Sequence, residues 1–272
     1  MSVIAKPVVS SRVIVLRVWP TGETSTVAAL LSEEHGYVRV IAKGSRGPRS
    51  ALRPLVQPGR LVEAEFGLQP GRDLQYLKGG QLLLDPLLAV NSLERTAYLL
   101  SALEIVERCR PSGVTETRLF DLCRRFLEVL SSQVAGGEAP LFYAFELALL
   151  RLQGTAPVLS RCVACDQDLS EVRTGMRFSP AGGGAICGAC VATDPEGGGR
   201  PLGAGVLAVM RKLTGADGPV AALNRRSSRE IGILLHGFLS YHLPGYRLPA
   251  SLDLLRAGRA ADGGAPLEGF AP

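Results

Sequence analysis

The sequence predicts an α+β protein built in series: an N-terminal five-stranded barrel, a central helical domain, and a four-cysteine module inserted before the C-terminal helices. Three observations predict it. The first 80 residues hold five short apolar, β-branched segments with no helical period between them; from about residue 91 the apolar spacing becomes helical; and four of the six cysteines fall into two Cys-x-x-Cys pairs.

The barrel segments are Val13–Val18, Thr26–Leu31, Tyr37–Lys43, Leu61–Phe66 and Leu74–Lys78. Pro20 with Gly22, the stretch Glu33–Gly36, a long Gly/Pro/Arg loop, and Pro70–Gly71 separate them. Five strands without an intervening helix match the count of an oligonucleotide-binding (OB) barrel, and an SH3-like barrel stays open as an alternative.

Helical spacing starts with Asn91 and Glu94, which can form a capping box. Leu93, Ala97, Leu100, Leu103 and Val106 then recur on one face until Pro111. A second helix fits Glu116–Val134, with Leu119, Leu122, Cys123, Phe126 and Leu130 aligned. A third, Leu141–Gln153, is apolar nearly all round and stops at Gly154, which predicts a central place in a bundle. Beyond the cysteines, Gly203–Leu213 reads as a helix, and Ser227 with Glu230 as the cap of a last one carrying Ile231, Leu234, Leu235 and Phe238. The expected division is an OB domain at 1–80, a helical domain at 81–158, a zinc-binding module at 159–200, C-terminal helices at 201–257 packed on the helical domain, and a disordered tail at 258–272.

The two pairs are Cys162/Cys165 and Cys187/Cys190. A metal such as zinc takes four thiolates in a tetrahedron, and each Cys-x-x-Cys turn places two on one centre. Two turns fill the shell, which predicts one structural zinc with no open position. The competing readings are redox dithiols or disulfides, but a redox pair opens a helix in a βαβ unit and none is visible. Arg173, Arg177 and Phe178 lie between the pairs, followed by Ser179-Pro180 and Gly182–Gly184; a glycine turn there lets amides point at the thiolates. Cys109 and Cys123 sit on helical faces as packing residues.

Charge singles out the other candidate site. The formal net charge is +5, and residues 1–80 hold all the excess, with 11 Lys and Arg against 6 Asp and Glu. Between Arg39 and Arg60 there are six basic residues and no acid: Arg39, Lys43, Arg46, Arg49, Arg53 and Arg60. Arg39 and Lys43 leave the same face of one strand, while Arg46, Arg49 and Arg53 follow in a loop that reads as exposed and mobile. Mobile arginines suit phosphate contacts, and Tyr37 on the odd-numbered face can stack a base. A solvated charge run is the bland alternative.

No HExxH, P-loop or GxSxG pattern occurs, and Gly203-Ala-Gly205 follows Arg200-Pro201 rather than a strand. His35, His236 and His242 read as surface or packing residues. No catalytic residue is assigned, and an enzyme is not expected. No run of ~18 apolar residues is present and the N-terminus lacks a signal-peptide layout, so the expected location is cytoplasmic, with thiols reduced and no membrane contact.

Together these residues resemble the RecO family of bacterial recombination mediators over about residues 10–250. The resemblance rests on Glu34-His35-Gly36-Tyr37-Val38-Arg39-Val40, Ala42-Lys43-Gly44 and Leu55-Val56-Gln57-Pro58-Gly59. It continues through both cysteine pairs, Phe178-Ser179-Pro180, and the segment from Ser228-Arg229-Glu230 to Tyr241-His242-Leu243. It implies binding of single- and double-stranded DNA, annealing of complementary strands, and help in loading RecA onto strands coated by single-strand-binding protein. It implies RecR, sometimes RecF, and the C-terminal tail of single-strand-binding protein as partners, and a nucleoid-associated location. By position it puts Arg39, Lys43, Arg46, Arg49 and Arg53 in the DNA-contact region and makes the four paired cysteines zinc ligands. A zinc-ribbon adaptor whose basic loop binds an acidic protein is the alternative from another class; strand annealing separates the two.

Overall fold

The structure, a computed structural model, describes residues 8–89, 92–109, 116–172, 174–193, 199–216 and 218–255. Asn91, Pro111, Arg173 and the tail from Gly258 lie outside them. The chain divides into two compact units, Met1–Glu107 with Val114–Ser132, and Arg108–Gly113 with Gln133–Pro272.

The first unit is built on β1 (Val8–Thr21), β2 (Ser25–Ser32), β3 (Gly36–Ala42), β4 (Leu61–Gly67) and β5 (Leu74–Leu84). They close into a barrel in the order β1-β2-β3-β5-β4. All neighbours are antiparallel except β3 and β5, which run parallel with Ile41 opposite Tyr76. This OB-like order settles the choice left open against an SH3-like barrel.

Strands β1 and β5 run five or more residues beyond one end of their apolar segments, and β2 and β4 by one at an end. The start of β1 pairs with β4 (Val8 opposite Gly67), and its later part pairs with β2 (Val13 opposite Ser32 through Thr21 opposite Ser25). That double duty carries the strand through polar Ser10, Ser11 and Arg12. A register shift between Val15 and Arg17 then re-phases the alternation. Val13, Val15, Ala28, Leu30, Val40, Val62, Ala64 and Phe66 fill the interior. Each large side chain buried this way contributes roughly 1.5–3 kcal/mol.

The stretch between β3 and β4 is a chain of turns rather than a structureless loop. Backbone bonds run Gly47 to Gly44, Ser50 to Gly47 and Arg53 to Ser50, and a short 3-10 helix spans Arg53–Leu55. Leu55 and Val56 are buried in the barrel core. They are what anchors a segment whose composition suggested mobility.

Helices α1 (Leu93–Cys109) and α2 (Glu116–Ser132) follow, and the described part of α1 up to Glu107, with α2, belongs to the barrel unit. Ser92 caps α1, its Oγ accepting from the Arg95 amide at 3.1 Å. The Tyr37 hydroxyl donates to the Val106 carbonyl at 3.0 Å, and Thr117 Oγ1 donates to the Glu33 carbonyl. Gly59, in the left-handed region at φ +84°, lies so close to α1 that a Cβ there would sit 2.7 Å from the Leu99 side chain.

The second unit contains α3 (Glu138–Leu152), which begins three residues before Leu141 because Pro140 is tolerated in a first turn. It is buried almost all round, as its composition predicts. It packs on α5 (Ala204–Thr214) and α6 (Arg225–His242), and these two pack on each other. The cap of α6 is Asn224, whose side chain accepts from the Ser227 amide at 2.8 Å, not Ser227 itself. The helix therefore starts earlier, and Glu230 pairs with Arg226 instead of reaching back to the cap. No described helix is long and apolar enough to cross a membrane.

Candidate nucleic-acid interface and metal centre

The four predicted cysteines come together. Their sulfurs lie within 4.8 Å of one another, with Cys165 Sγ 3.7 Å from Cys187 Sγ. Each half is a tight turn. Around the first pair, the Cys162 amide donates to the Gln167 carbonyl and the Asp166 amide to the Cys162 carbonyl, with Asp166 at φ +61°. The second pair opens the short α4 (Gly188–Thr193), so the Cys190 amide donates to Cys187 Sγ at 3.5 Å.

Between the halves runs the hairpin of β6 (Arg177–Ser179) and β7 (Gly184–Ile186), with β8 (Arg200–Pro201), a two-residue strand where the sequence predicts none, on the other edge of β6. The glycines do not aim amides at sulfur, contrary to the sequence expectation. Their role is close approach: Val158 donates to the Gly183 carbonyl, Ala185 donates back to Val158, and a Cβ on Gly184 would sit 2.2 Å from the Val158 oxygen. The amides that reach sulfur belong to the cysteine turns, such as Cys187 N to Cys162 Sγ at 3.3 Å.

Burial raises the Cys162 thiol, but amide bonds from Cys187, Ala164 and Cys165 outweigh it and bring it down to about 6. Contacts with the Cys165 and Cys187 sulfurs, with burial, push Cys190 up to about 12. Four soft sulfur donors converging on one centre are the ligand set of a tetrahedral metal site, so the cluster can hold a metal ion. Cys123, by contrast, is buried in α2 and pushed up to about 12 by desolvation, and half-buried Cys109 is raised to about 11 by the same cause. Both fit packing roles.

The predicted basic residues fall into two groups on the barrel. Arg39 in β3 and Lys43 just after it are exposed, and Arg39 lies 4.0 Å from exposed Asp73. Lys43 Nζ lies 5.0 Å from the ring centroid of Tyr76 on β5. Arg72 and Lys78 approach the same ring, at 5.2 and 5.9 Å. Three cations thus surround one half-buried aromatic, and none of the three makes an ion pair among the described residues. Sequence reasoning missed Arg72, Tyr76 and Lys78. Tyr76 and Lys78 share a face at a spacing of two, but only the parallel β3–β5 pairing brings them to Lys43.

The second group is Arg46, Arg49 and Arg53, all exposed on the turns after β3. Arg46 braces that segment: its amide donates to the Thr24 carbonyl and its guanidinium to the carbonyls of Gly22 and Glu23 in the β1–β2 turn. Ser45 Oγ to Thr26 Oγ1, 2.8 Å and buried, completes the staple. Arg60 is set apart, in a half-buried ion pair with Asp85 at 2.7 Å. Tyr37 is half-buried, with its hydroxyl on Val106.

The histidines lie in ordinary packing positions. His35 meets Phe66 edge-on at 6.0 Å, His236 lies 3.3 Å from the Tyr246 hydroxyl, and His242 Nε2 lies 2.8 Å from the Pro180 carbonyl.

Comparison with known proteins agrees along the chain. The family described as Recombination protein O N terminal matches residues 6–84, and Recombination protein O C terminal matches residues 90–252. A DNA repair protein RecO from Pelotomaculum thermopropionicum is 34% identical over 85% of this chain and 87% of its own length. Another, from Anaeromyxobacter dehalogenans, is 32% identical over 87% of this chain and 92% of its own. A third, from Desulforudis audaxviator, is 30% identical over 89% and 94%. With the OB-like barrel at one end and the four-cysteine cluster ahead of the last helices, the chain belongs to the RecO family of DNA repair proteins.

Proposed function

We propose that this protein is a non-enzymatic recombination mediator: it binds single- and double-stranded DNA through the barrel, anneals complementary strands, and acts with RecR to load RecA where single-strand-binding protein coats the strand. The observation that carries the reading is the convergence of Lys43, Arg72 and Lys78 on Tyr76, continued by exposed Arg46, Arg49 and Arg53. Phosphate contacts supply most of the affinity of such surfaces and an aromatic face adds base stacking. Annealing then needs no bond chemistry. A basic surface that neutralises phosphates lowers the repulsion between two strands and raises their local concentration. Arg39 and Tyr37 leave the same side of β3, with the Tyr37 hydroxyl held by the Val106 carbonyl, while Arg60 is held by Asp85.

The metal we assign to the cysteines is one structural zinc. A tetrahedron of thiolates about ~2.3 Å from zinc has edges of roughly 3.8 Å, which the 3.7 Å Cys165–Cys187 separation fits. RecR, RecF in some settings, and the tail of single-strand-binding protein are the proposed partners, in the cytoplasm at the nucleoid. The relatives' printed names, DNA repair protein RecO, support this reading.

The test is binding of labelled single-stranded DNA across a salt series, wild type beside Lys43→Glu/Arg49→Glu/Arg53→Glu. These three are chosen because Arg46 also braces a turn. About six phosphate contacts predict a loss of roughly 300-fold in affinity between 50 and 200 mM salt. The slope should flatten in the variant. An unchanged slope moves the site off this face, and no binding at low salt leaves the adaptor reading, with an acidic protein as ligand.

A further inference from the structure

Beside the basic face the barrel carries a cleft of about 420 Å³, lined by Val18, Trp19, Pro20, Thr26, Ser45, Arg46, Arg53, Val56 and Gln57. We propose that it takes one unstacked nucleobase of a bound single strand, seated against Trp19, with the flanking phosphates held by Arg46 and Arg53. The proposal rests on the DNA-binding reading and goes beyond it by naming a base subsite.

The lining has the chemistry of a base and its phosphates. Val18, Pro20, Val56 and the indole offer apolar surface, and the hydroxyls of Thr26 and Ser45, already 2.8 Å apart and buried, form a polar floor for a base edge. The rim carries two guanidiniums, and no acid is among the described residues that line the cleft. That charge suits a polyanion. The volume falls within the ~300–1,000 Å³ of small-ligand pockets, enough for a base and too small for a duplex.

Its shape is built in. Both Arg46 contacts to the β1–β2 turn and the Ser45–Thr26 bond hold one wall against the other, so little ordering is left for the ligand to impose. Buried Val56 fixes the far side. Beyond the register shift, Arg17 and Trp19 alternate onto the same side of β1, and the Arg17 guanidinium lies 5.9 Å from the indole centroid. Trp19 is thereby positioned by a contact that needs no DNA.

Trp19 is the only tryptophan in the chain, so its emission reports on this cleft alone. The experiment titrates the full-length protein with oligo(dT), with an abasic strand of equal length, and with a hexapeptide of alternating Asp and Leu, while anisotropy of the labelled strand follows binding independently. Saturable quenching by oligo(dT), with the abasic strand binding but leaving emission nearly unchanged, is the expected result. Trp19→Ala should weaken oligo(dT) about 5- to 150-fold and leave the abasic strand unaffected, with Trp19→Phe restoring most of the loss. If both strands bind and neither changes the emission, the cleft is not a base site although DNA binding stands. If neither strand binds, the DNA-binding reading itself fails. An emission change with the peptide alone overturns the proposal in favour of a protein ligand.

Discussion

Phe178, in the hairpin between the two cysteine pairs, packs against Phe238 of α6 with ring centroids 5.4 Å apart and planes tilted by 42°, and both are fully buried. The four-cysteine module is thus joined to the C-terminal helix by an aromatic pair. Arg211 Nε donating to the Leu159 carbonyl and Leu202 N donating to Met176 O reinforce the same junction. Phe178→Ala should cost about 3–5 kcal/mol of stability. Denaturant unfolding followed by far-ultraviolet circular dichroism checks it; a loss under 1 kcal/mol would show that the module docks by other means.

Removing the metal should act on the same helices. Chelation, or Cys187→Ser, is expected to lower the melting temperature of the second unit and to expose Phe178 and Phe238 to solvent, because buried Cys187 links the hairpin to α4. Calorimetry of metal-loaded and chelated protein reads this directly. Identical transitions in both would argue against a structural ion.

Glu146 on α3 is fully buried, and desolvation holds its carboxyl well above the usual carboxylate range. A folded-state value raised above the unfolded one means that the stability linked to this proton is complete below about pH 4.5 and is lost as pH rises toward the folded value. Glu146→Gln removes that dependence. Its melting temperature should exceed wild type at pH 7.5, and the gain should shrink to nothing near pH 4. An equal gain at both pH values would assign the effect to packing alone.

Arg72 and Lys78 were not visible as site residues in the sequence, so they offer an independent check on the barrel face. Arg72→Glu and Lys78→Glu should each lower the salt slope of single-strand binding by about 0.7. Sequence preference should not change, since phosphate contacts carry little of it. Lys212→Glu, on α5, should leave the slope alone.

What was legible in the sequence was whatever is coded within a few residues. Apolar, β-branched segments marked all five barrel strands, the paired cysteines marked the four-cysteine cluster, and apolar spacing or composition marked α1, α2, α3, α5 and α6. The fifth apolar segment ends at Lys78, however, whereas β5 continues through Gly79 and Gly80 because Gly80 admits the Glu63 carbonyl of β4, which would sit 2.3 Å from a Cβ there. Asn224 caps α6 although Ser227 and Glu230, three residues further on, carry the capping-box spacing. The cation cluster on Tyr76 needs a pairing between strands about 35 residues apart, which no local pattern records.

That same strand order sets when the barrel can form during synthesis. β1 finds its β4 partner more than 45 residues downstream, and β3 finds β5 only when Leu74–Tyr76 is available. A nascent chain that ends before β4 therefore holds a three-stranded meander with both edges open, a template for pairing with other chains. Closure becomes available to the growing chain only once the β5 segment has left the ribosome, so the N-terminal third of this protein passes from its most aggregation-prone form to an edgeless one within a few seconds of translation, at roughly 5–20 residues per second.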